Sequence, residues 1–420
     1  MTFSSRLTPV IVSCLLIWAM GGCSRLKPSE VEEVRESTEI EKADLSSEAL
    51  AWADSVVAEM SLDEQLAQLL MPSLYSSADP ATLQRLDDYA SRIRVGGILL
   101  LKGEASAAAL MADSLEAVRR RLPLAVGTFL AVDAETGLGM RFSDAPRFPW
   151  NRDVDPAAGD EVFFDYGAEV GREARITGIN MILGPVVDID RLENARAGVM
   201  KRRSLGSDQL RVAELSLAYA RGLESRGVAC VVKHFPGHGP TASDSHRSLP
   251  AISTPRDELY AIDLLPFRNM IQNGVSAVMV GHIWAQALDS VKRPASFSPI
   301  VIQQLLREEM GFDGLVLVDA MEMEGARGYS GADAIIAGAD MIIAPPDTRL
   351  ELDRLREAVA AGWLSRERVS DSCRRILFYK YLYGVNSPQT EVDANPASRD
   401  EIKERLHEEA PRIISNLTAD

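Results

Sequence analysis

The chain has 420 residues, of which 46% are apolar and 25% are charged, so it is long enough and apolar enough to bury a large core. Its formal net charge of −16 argues against broad attraction to nucleic acid or anionic lipid, because both need clustered lysine and arginine. We therefore expect no nucleic-acid partner, and any anionic substrate would have to be held by a few local cations.

The first residues have the pattern of a targeting segment. Arg6 precedes an apolar run from Val10 to Met20, and the small residues Gly21 and Gly22 then lead to Cys23. This pattern resembles a bacterial lipoprotein signal, which implies cleavage before Cys23, lipid anchoring through that cysteine and a place in the cell envelope, at the outer membrane or a periplasmic face. The alternatives are an uncleaved anchor and a plain secretory signal. The apolar run is shorter than the ~20 residues that a spanning helix prefers, which disfavours a permanent anchor.

The composition changes along the chain and divides it into four segments. These are a signal peptide, a charged polar tether, a folded domain and a polar C-terminal tail, over residues 1–22, 23–48, 49–385 and 386–420. One helical patch, Asp400 to His407, is predicted in the tail. The domain contains Cys230 and Cys373 inside apolar stretches, and we expect buried free thiols, although a disulfide stays open.

The folded domain alternates short apolar runs with longer helical segments, which is the pattern of parallel strands joined by crossover helices. Eight runs are predicted strands: Gln68 to Met71, Gly97 to Leu101, Leu124 to Ala131, Asn180 to Gly184, Val228 to Val232, Ser276 to Val280, Gly314 to Val318 and Met341 to Ala344. Helices are predicted between them at Leu83 to Arg92, Ala107 to Arg121, Gly159 to Thr177, Asp208 to Arg226, Arg256 to Gln272, Ile300 to Met310 and Gly331 to Ala337. The sequence predicts an α/β fold, a (β/α)8 TIM-type barrel, with a doubly wound open sheet as the alternative.

Polar or ionisable residues follow directly after several of the predicted strands. They are Asp133, Asp188, Lys233 with His234, His282, and Asp319. In a barrel, these positions all lie on the C-terminal face, where active sites are built. We therefore expect side chains that are far apart in the sequence to meet at one mouth.

The stretch from Lys233 to His246 holds three of the five histidines of the chain. One interpretation is a zinc site, because His234 and His238 have the i, i+4 spacing of ligands on a helix. The prolines and glycines around them disfavour a helix, so we expect no metal and no cofactor. Another interpretation is a mobile loop in which Asp244 accepts a hydrogen bond from His246, fixing its tautomer for general acid/base work. The third interpretation is a solvated loop whose histidine has no catalytic role.

Asp319 ends an apolar strand, which is the placement that a nucleophile needs in a barrel. A carboxylate that caps the next helix is the structural alternative.

Together these motifs resemble glycoside hydrolase family 3, and within it the bacterial β-N-acetylhexosaminidases. The resemblance spans roughly Ala51 to Gly384 and rests on Asp133-Ala134-Glu135 with Arg141, Arg203-Ser204-Leu205-Gly206, the Lys233 to His246 stretch, Asp319-Ala320-Met321 and Ala337-Gly338-Ala339-Asp340-Met341. It implies that Asp319 is the nucleophile and His246 the acid/base, with Asp244 as its partner. It also implies a set of sugar-binding residues, namely Asp133, Arg141, Arg203, Lys233 and His234.

The activity implied by this resemblance is retaining hydrolysis of terminal, non-reducing β-linked N-acetylglucosamine. The substrates would be cell-wall fragments such as muropeptides, or chitin-type oligosaccharides. Three alternatives stay open: a family 3 β-glucosidase or β-xylosidase, an N-acetylglucosaminide phosphorylase, and a catalytically silent glycan-binding lipoprotein. The Asp244-Ser245-His246 loop disfavours the first, because other branches of the family resemble enzymes with a glutamate in that role.

The sequence departs from the pattern of the family in two places. Residues 134–139 read Ala-Glu-Thr-Gly-Leu-Gly where a Gln-Glu-Gly-Gly-Arg type of loop is common, and Leu205 replaces a more usual phenylalanine. Neither change touches the proposed catalytic pair.

Overall fold

The computed structural model describes residues 45–191, 200–241, 249–386 and 398–418. The chain divides into two units, Met1–Glu48 and Ala49–Asp420, and the barrel belongs to the second. Cys23, Asp244 and His246 lie outside the described residues. Within the described ranges, no helix is long and apolar enough to cross a membrane.

Parallel strands form a ring whose first strand is divided in two at Pro72. Strand β1 (Leu70–Met71) pairs with the last strand, and β2 (Ser73–Ser76) pairs with the next strand along the chain, so the two halves together close the ring. The other strands are β3 (Gly97–Gly103), β4 (Phe129–Val132), β5 (Met181–Ile182), β6 (Ala229–Phe235), β8 (Ala277–Val280), β10 (Leu315–Val318) and β11 (Met341–Ile343). The predicted (β/α)8 barrel is confirmed. A separate two-stranded sheet joins β7 (Ala251–Ile252) to β9 (Trp284–Ala285).

Helices surround the barrel. Helix α1 is described from residue 45 and ends at residue 59, and the following helices are α2 (Leu62–Gln68), α3 (Pro80–Asp87), α4 (Ala105–Arg119), α5 (Asp160–Ile176), α6 (Gln209–Glu224), α7 (Leu265–Gln272), α8 (Ile300–Glu309), α9 (Gly331–Ala337), α10 (Thr348–Ala360), α11 (Arg366–Leu382), α12 (Arg399–Leu406) and α13 (Ala410–Leu417). Helical turns at Asp88–Ile93 and Arg256–Asp263 extend α3 and lead into α7. Strands β4, β8 and β10 are buried along their whole length, because side chains fill the barrel on one face and helices cover the other.

Side-chain caps fix where several helices begin. Ser61 and Glu64 form a capping box at α2, and the Asp208 carboxylate accepts a hydrogen bond from the Leu210 N–H at the start of α6. Each such cap satisfies a backbone N–H that has no partner inside the helix and contributes about 1 kcal/mol.

The strand positions agree with the prediction, and the differences have local causes. The predicted strand from Leu124 begins only at Phe129, because Ala125 adopts a left-handed φ of 49° and its N–H bonds to the Leu122 carbonyl. Helix α3 starts earlier than predicted, at Pro80, because Asp79 caps it. Helices α1, α2, α10, α11 and α13 were not predicted. The last three of these have only a narrow apolar stripe on an otherwise charged or polar sequence.

The C-terminal helices pack on the outside of the barrel. The Arg172 guanidinium of α5 donates to the Arg405 carbonyl at 2.8 Å, and the Asp155 N–H donates to the Leu417 carbonyl at 2.8 Å. Ile402, Leu406 and Ile413 are buried in the same core as the barrel. Cys230 and Cys373 are buried, and neither forms a disulfide.

Candidate active site

The mouth of the barrel carries a cluster of opposite charges at the ends of β4 and β6. Lys233 lies in β6, and its Nζ donates to Asp133 Oδ1 at 2.7 Å and lies 2.8 Å from Glu135 Oε1. The Arg141 guanidinium donates to the other oxygen of Asp133 at 2.6 Å. These contacts place the predicted sugar-binding residues Asp133, Arg141 and Lys233 next to one another and next to the Glu135 carboxylate.

Arg203 joins this cluster through Glu135. Its Nε and Nη2 donate to the two Glu135 oxygens at 2.8 and 2.7 Å, the planar two-point geometry that favours arginine over lysine. The side chains of Glu135 and Lys233 are each only 2% exposed. Burial raises the pKa of Glu135, but Arg203, Lys233 and His234 outweigh it and hold this pKa well below 4.5. Burial lowers the pKa of Lys233, and the carboxylates of Asp133 and Glu135 reverse this and raise it, so both partners are charged.

His234 is held from both sides. Its Nδ1 lies 2.7 Å from the Asp188 carboxylate, and its Nε2 lies 3.1 Å from Arg203 Nη2. Because a guanidinium only donates, Nε2 must accept, so His234 carries its proton on Nδ1 and donates it to Asp188. Asp188 is fully buried and also accepts the backbone N–H groups of His234 and His238.

His238 does not pair with His234 as a helical metal ligand would. His234 lies in a strand, its Nδ1 is committed to Asp188, and the two imidazole rings are 5.9 Å apart and nearly perpendicular. His238 contacts the Thr241 hydroxyl through its own Nδ1. Burial, together with neighbouring His234, lowers the pKa of His238 to about 4, so it is neutral at physiological pH.

Asp319 follows β10 at the neighbouring side of the mouth. Its backbone N–H donates to the Val280 carbonyl at 3.1 Å, and its Oδ1 accepts the Ala320 N–H at 2.8 Å. The next helical turn begins only at Glu324, so Asp319 is not the cap of a following helix. Burial raises the pKa of Asp319, but His234, His282, the Ala320 N–H and Lys233 together lower it below 3.8. The carboxylate is therefore ionised at neutral pH.

His282 connects the end of β8 to the segment after Asp319. Its Nε2 lies 3.2 Å from the Ala320 carbonyl, which only accepts, so Nε2 carries the proton. Its Nδ1, 2.7 Å from the Ser296 hydroxyl, then accepts from that hydroxyl. The ring stacks on Phe297 at 5.6 Å, and Phe297 stacks in turn on Tyr329 at 4.4 Å.

The ends of β6 and β8 are in contact, and this brings the charged cluster at β4 and β6 next to the residues that follow β8 and β10. The Gly281 N–H donates to the Phe235 carbonyl at 2.9 Å, and a Cβ on Gly281 would lie 3.2 Å from the Cβ of His234. The mouth therefore places an ionised Asp319 beside a group of hydrogen-bond donors and acceptors that suits a polyhydroxylated ligand.

Residues 61–378 match the Glycosyl hydrolase family 3 N terminal domain. The chain belongs to glycoside hydrolase family 3. Beta-hexosaminidase A of Pseudoalteromonas piscicida is 31% identical over 324 residues, which is 69% of this chain and 54% of that protein. The Beta-N-acetylglucosaminidase/beta-glucosidase of Cellulomonas fimi is 30% identical over 358 residues, which is 81% of this chain and 61% of that protein. The chain thus spans less than two thirds of the length of either relative.

A solved family 3 structure has the same architecture. The β-N-acetylglucosaminidase of Paenibacillus sp. str. FPU-7 superposes with a TM-score of 0.73 at 30% identity, covering 85% of this chain and 69% of that one.

Within this family 3 domain, the structure brings six of the predicted site residues to one mouth: Asp133, Arg141, Arg203, Lys233, His234 and Asp319. Asp244 and His246 lie outside the described residues, so their roles stay predictions. Glu135, Asp188 and His282 hold these residues in place, and none of the three was predicted as a site residue. Asp188 and His282 had a signal, since both follow predicted strands, whereas Glu135 was visible only as part of the Asp133-Ala134-Glu135 motif.

Proposed function

We propose that the chain is a retaining β-N-acetylhexosaminidase that removes terminal, non-reducing β-linked N-acetylglucosamine from cell-wall fragments or chitin-type oligosaccharides. The observation that carries this proposal is the position of ionised Asp319 beside the cluster of Asp133, Lys233, Arg141 and Arg203. The names of the Pseudoalteromonas, Cellulomonas and Paenibacillus relatives support the choice of substrate.

The mechanism follows from one carboxylate and one imidazole. Asp319 attacks the anomeric carbon and forms a glycosyl ester while protonated His246, oriented by Asp244, gives its proton to the leaving oxygen. The neutral imidazole then takes a proton from water, which attacks the same carbon and releases Asp319. Two displacements leave the configuration of the sugar unchanged.

The charged cluster would bind the sugar before reaction. Lys233 is fixed by two carboxylates and Arg203 by Glu135, so their remaining donors are oriented without the entropy cost of ordering free side chains. Asp133 and Arg141 supply an acceptor and a donor at the edge of the same cluster, which suits adjacent hydroxyl groups of a sugar ring.

A set of 4-nitrophenyl glycosides tests the proposal. We expect turnover of the N-acetyl-β-glucosaminide, with the β-anomer as the first product by NMR, and loss of turnover by orders of magnitude in Asp319→Ala. The matched control is Asp313→Ala, which removes an exposed carboxylate from the other end of the same strand region. Turnover of the β-glucoside but not of the N-acetylglucosaminide would favour a glucosidase and overturn the proposal.

Two further measurements distinguish hydrolysis from phosphorolysis and from binding without turnover. If added phosphate diverts the product to the sugar 1-phosphate, the enzyme is a phosphorylase rather than a hydrolase. If wild type binds chitooligosaccharides but turns over no glycoside, it is a glycan-binding protein.

We also propose that the mature chain is attached to the cell envelope by lipid at Cys23, on the basis of the sequence before that residue. Metabolic labelling with a radioactive fatty acid should mark the wild type and not Cys23→Ala. Equal labelling of both would overturn the anchor without affecting the proposed activity.

A further inference from the structure

A cavity of about 170 Å³ lies at the N-terminal face of the barrel, opposite the mouth. Its walls come from α4, the end of α5, the beginning of β4 and the segment that follows α11. Leu130 of β4 lines the cavity three residues before Asp133, which places them about 10 Å apart along the strand. The cavity is therefore separate from the candidate active site.

Two side chains of opposite charge line this cavity without a partner. Asp113 on α4 and Arg175 on α5 both reach solvent. Within the described residues, neither side chain forms a hydrogen bond or an ion pair, with the other or with any third group. Glu116 and Arg119 line the same cavity and do pair, at 2.6 and 2.7 Å. Among the described residues that line the cavity, only Asp113 and Arg175 therefore offer an unpaired charge.

The surrounding protein disfavours the charged forms of both side chains. Burial raises the pKa of Asp113 and lowers the pKa of Arg175, and in each case burial is the only cause. Since both side chains also reach solvent, they lie in a recess where protein replaces part of their hydration. A ligand that brings a positive group to Asp113 and a negative group to Arg175 would compensate both losses.

The rest of the lining suits a small ligand with an apolar part. Asn180 Oδ1 accepts the Leu130 N–H at 3.0 Å, so the amide NH2 group of Asn180 remains a donor at the cavity. The volume is below the ~300–1,000 Å³ of pockets that hold drug-sized ligands, which favours a ligand of amino-acid size. The apolar part of the lining comes from Ala109, Ala112, Leu115, Leu130, Ile176 and Val385.

We propose that this cavity binds a free α-amino acid with a small apolar side chain. The Asp113 carboxylate would accept N–H groups of the ammonium, and the Arg175 guanidinium would donate to the carboxylate of the ligand in its planar two-point geometry. The apolar walls would contact the side chain of the ligand. The proposal goes beyond the hydrolase function and does not depend on it.

Three related ligands test whether both charges are needed. L-alanine carries both, N-acetyl-L-alanine carries only the carboxylate, and L-alaninamide carries only the ammonium. In calorimetric titrations of the full chain, we expect L-alanine to bind at one site and the other two to bind at least about tenfold more weakly. L-alanine should also raise the melting temperature as its concentration increases.

Two variants assign the charges to their side chains. Arg175→Gln and Asp113→Asn should each weaken L-alanine binding at least about tenfold. Arg175→Gln should leave the weak binding of L-alaninamide unchanged, and Asp113→Asn should leave that of N-acetyl-L-alanine unchanged. Without ligand, both variants should melt at the wild-type temperature or slightly above it, because each removes an uncompensated charge.

The controls remove an exposed charge outside the cavity or the proposed nucleophile. Arg85→Gln on α3, Asp257→Asn before α7 and Asp319→Ala should all bind L-alanine as wild type does. Loss of binding in Asp319→Ala would place the amino acid in the candidate active site and overturn the proposal.

The other outcomes are equally decisive. Absence of L-alanine binding at millimolar concentration would overturn the site, as would equal binding by wild type, Arg175→Gln and Asp113→Asn. Equal affinity for L-alanine and for either of the other two ligands would mean that one charge suffices, which contradicts a site for an amino acid. A melting temperature several degrees below wild type in either cavity variant would show that the fold itself uses that charge, and this too would overturn the assignment.

Discussion

Replacing Glu135 by glutamine removes one negative charge from between two buried cations. In wild type, Glu135 accepts two hydrogen bonds from Arg203 and lies 2.8 Å from Lys233 Nζ. The variant keeps the shape of the side chain, but one of its two oxygens becomes an NH2 group, which faces a guanidinium or ammonium N–H and cannot accept from it. Lys233 keeps the carboxylate of Asp133, whereas Arg203 loses its carboxylate partner and keeps a neutral acceptor in His234.

The cost follows from the burial of the pair. Removing one partner of a buried ion pair typically costs about 3 to 5 kcal/mol, because the remaining charge is left without compensation. The Arg203 side chain is 22% exposed, so water can partly solvate its charge. We therefore expect a loss at the lower end of this range, about 3 kcal/mol in the free energy of unfolding. Since Arg203 and Lys233 would also lose their orientation, we expect kcat/KM for the aryl N-acetylglucosaminide to fall by at least about tenfold.

Chemical denaturation and steady-state kinetics measure the two effects on the same preparation. The control is Glu409→Gln, which breaks an exposed ion pair to Arg412, with side chains 50% and 54% exposed, and should cost less than about 1 kcal/mol. If Glu135→Gln were as stable and as active as the control, the buried carboxylate would not be what organises Arg203 and Lys233.

Three other substitutions probe buried ionisable side chains of the barrel domain. His282→Phe removes the hydrogen bond to the Ala320 carbonyl, so kcat should fall about tenfold or more with KM nearly unchanged, and a change in KM alone would contradict a role of His282 in positioning Asp319. Burial raises the pKa of Asp263 from 3.8 to about 6 despite its ion pair with Arg191. The fold therefore favours the protonated carboxyl group, and this contribution to stability is lost as the pH rises from the unfolded-state pKa through 6. Asp263→Asn should therefore gain about 1.4 kcal/mol relative to wild type between pH 5 and pH 8 in denaturant titrations, and a pH-independent difference would refute this. Both carboxyl oxygens of Glu173 are buried without a hydrogen-bond partner among the described residues, and burial holds its pKa well above 4.5. Glu173→Gln should accordingly match wild type in thermal melts near pH 4 and exceed it increasingly as the pH rises to neutral, because the wild-type carboxyl then ionises in the unfolded chain while burial keeps it protonated in the fold. A loss of stability at both pH values would mean that the carboxylate is needed in its charged form.

The barrel could be predicted from the sequence because its strands are short, apolar and regularly spaced, and both of their faces are buried. The strand over Leu315–Val318, for example, is a continuous apolar run that ends in Asp319. The last helices were harder to predict. In α11, the buried residues Val369, Cys373 and Ile376 form a narrow stripe among charged neighbours, and periodicity over so few positions gives a weak signal.

The site was predicted less completely than the fold, because its support depends on contacts between distant residues. The sequence placed Asp133, Lys233 and Asp319 at strand ends, and those placements follow from the alternation of strands and helices alone. It could not show that Glu135 would lie between Arg203 and Lys233, since that contact depends on the path of the loop after β4.

The cluster at the mouth also explains how an acidic protein keeps Asp319, the proposed nucleophile, ionised. The chain carries a net charge of −16, which disfavours a further buried carboxylate. Around the site, however, Arg141, Arg203 and Lys233 balance the carboxylates of Asp133, Glu135 and Asp188, so Asp319 meets no local excess of negative charge. Against the opposing effect of burial, Lys233 contributes to lowering the pKa of Asp319, together with the imidazoles and the Ala320 N–H. The residues proposed to bind the sugar therefore also help to keep the proposed nucleophile ionised, so we expect a substitution among them to change both substrate binding and the pKa of Asp319.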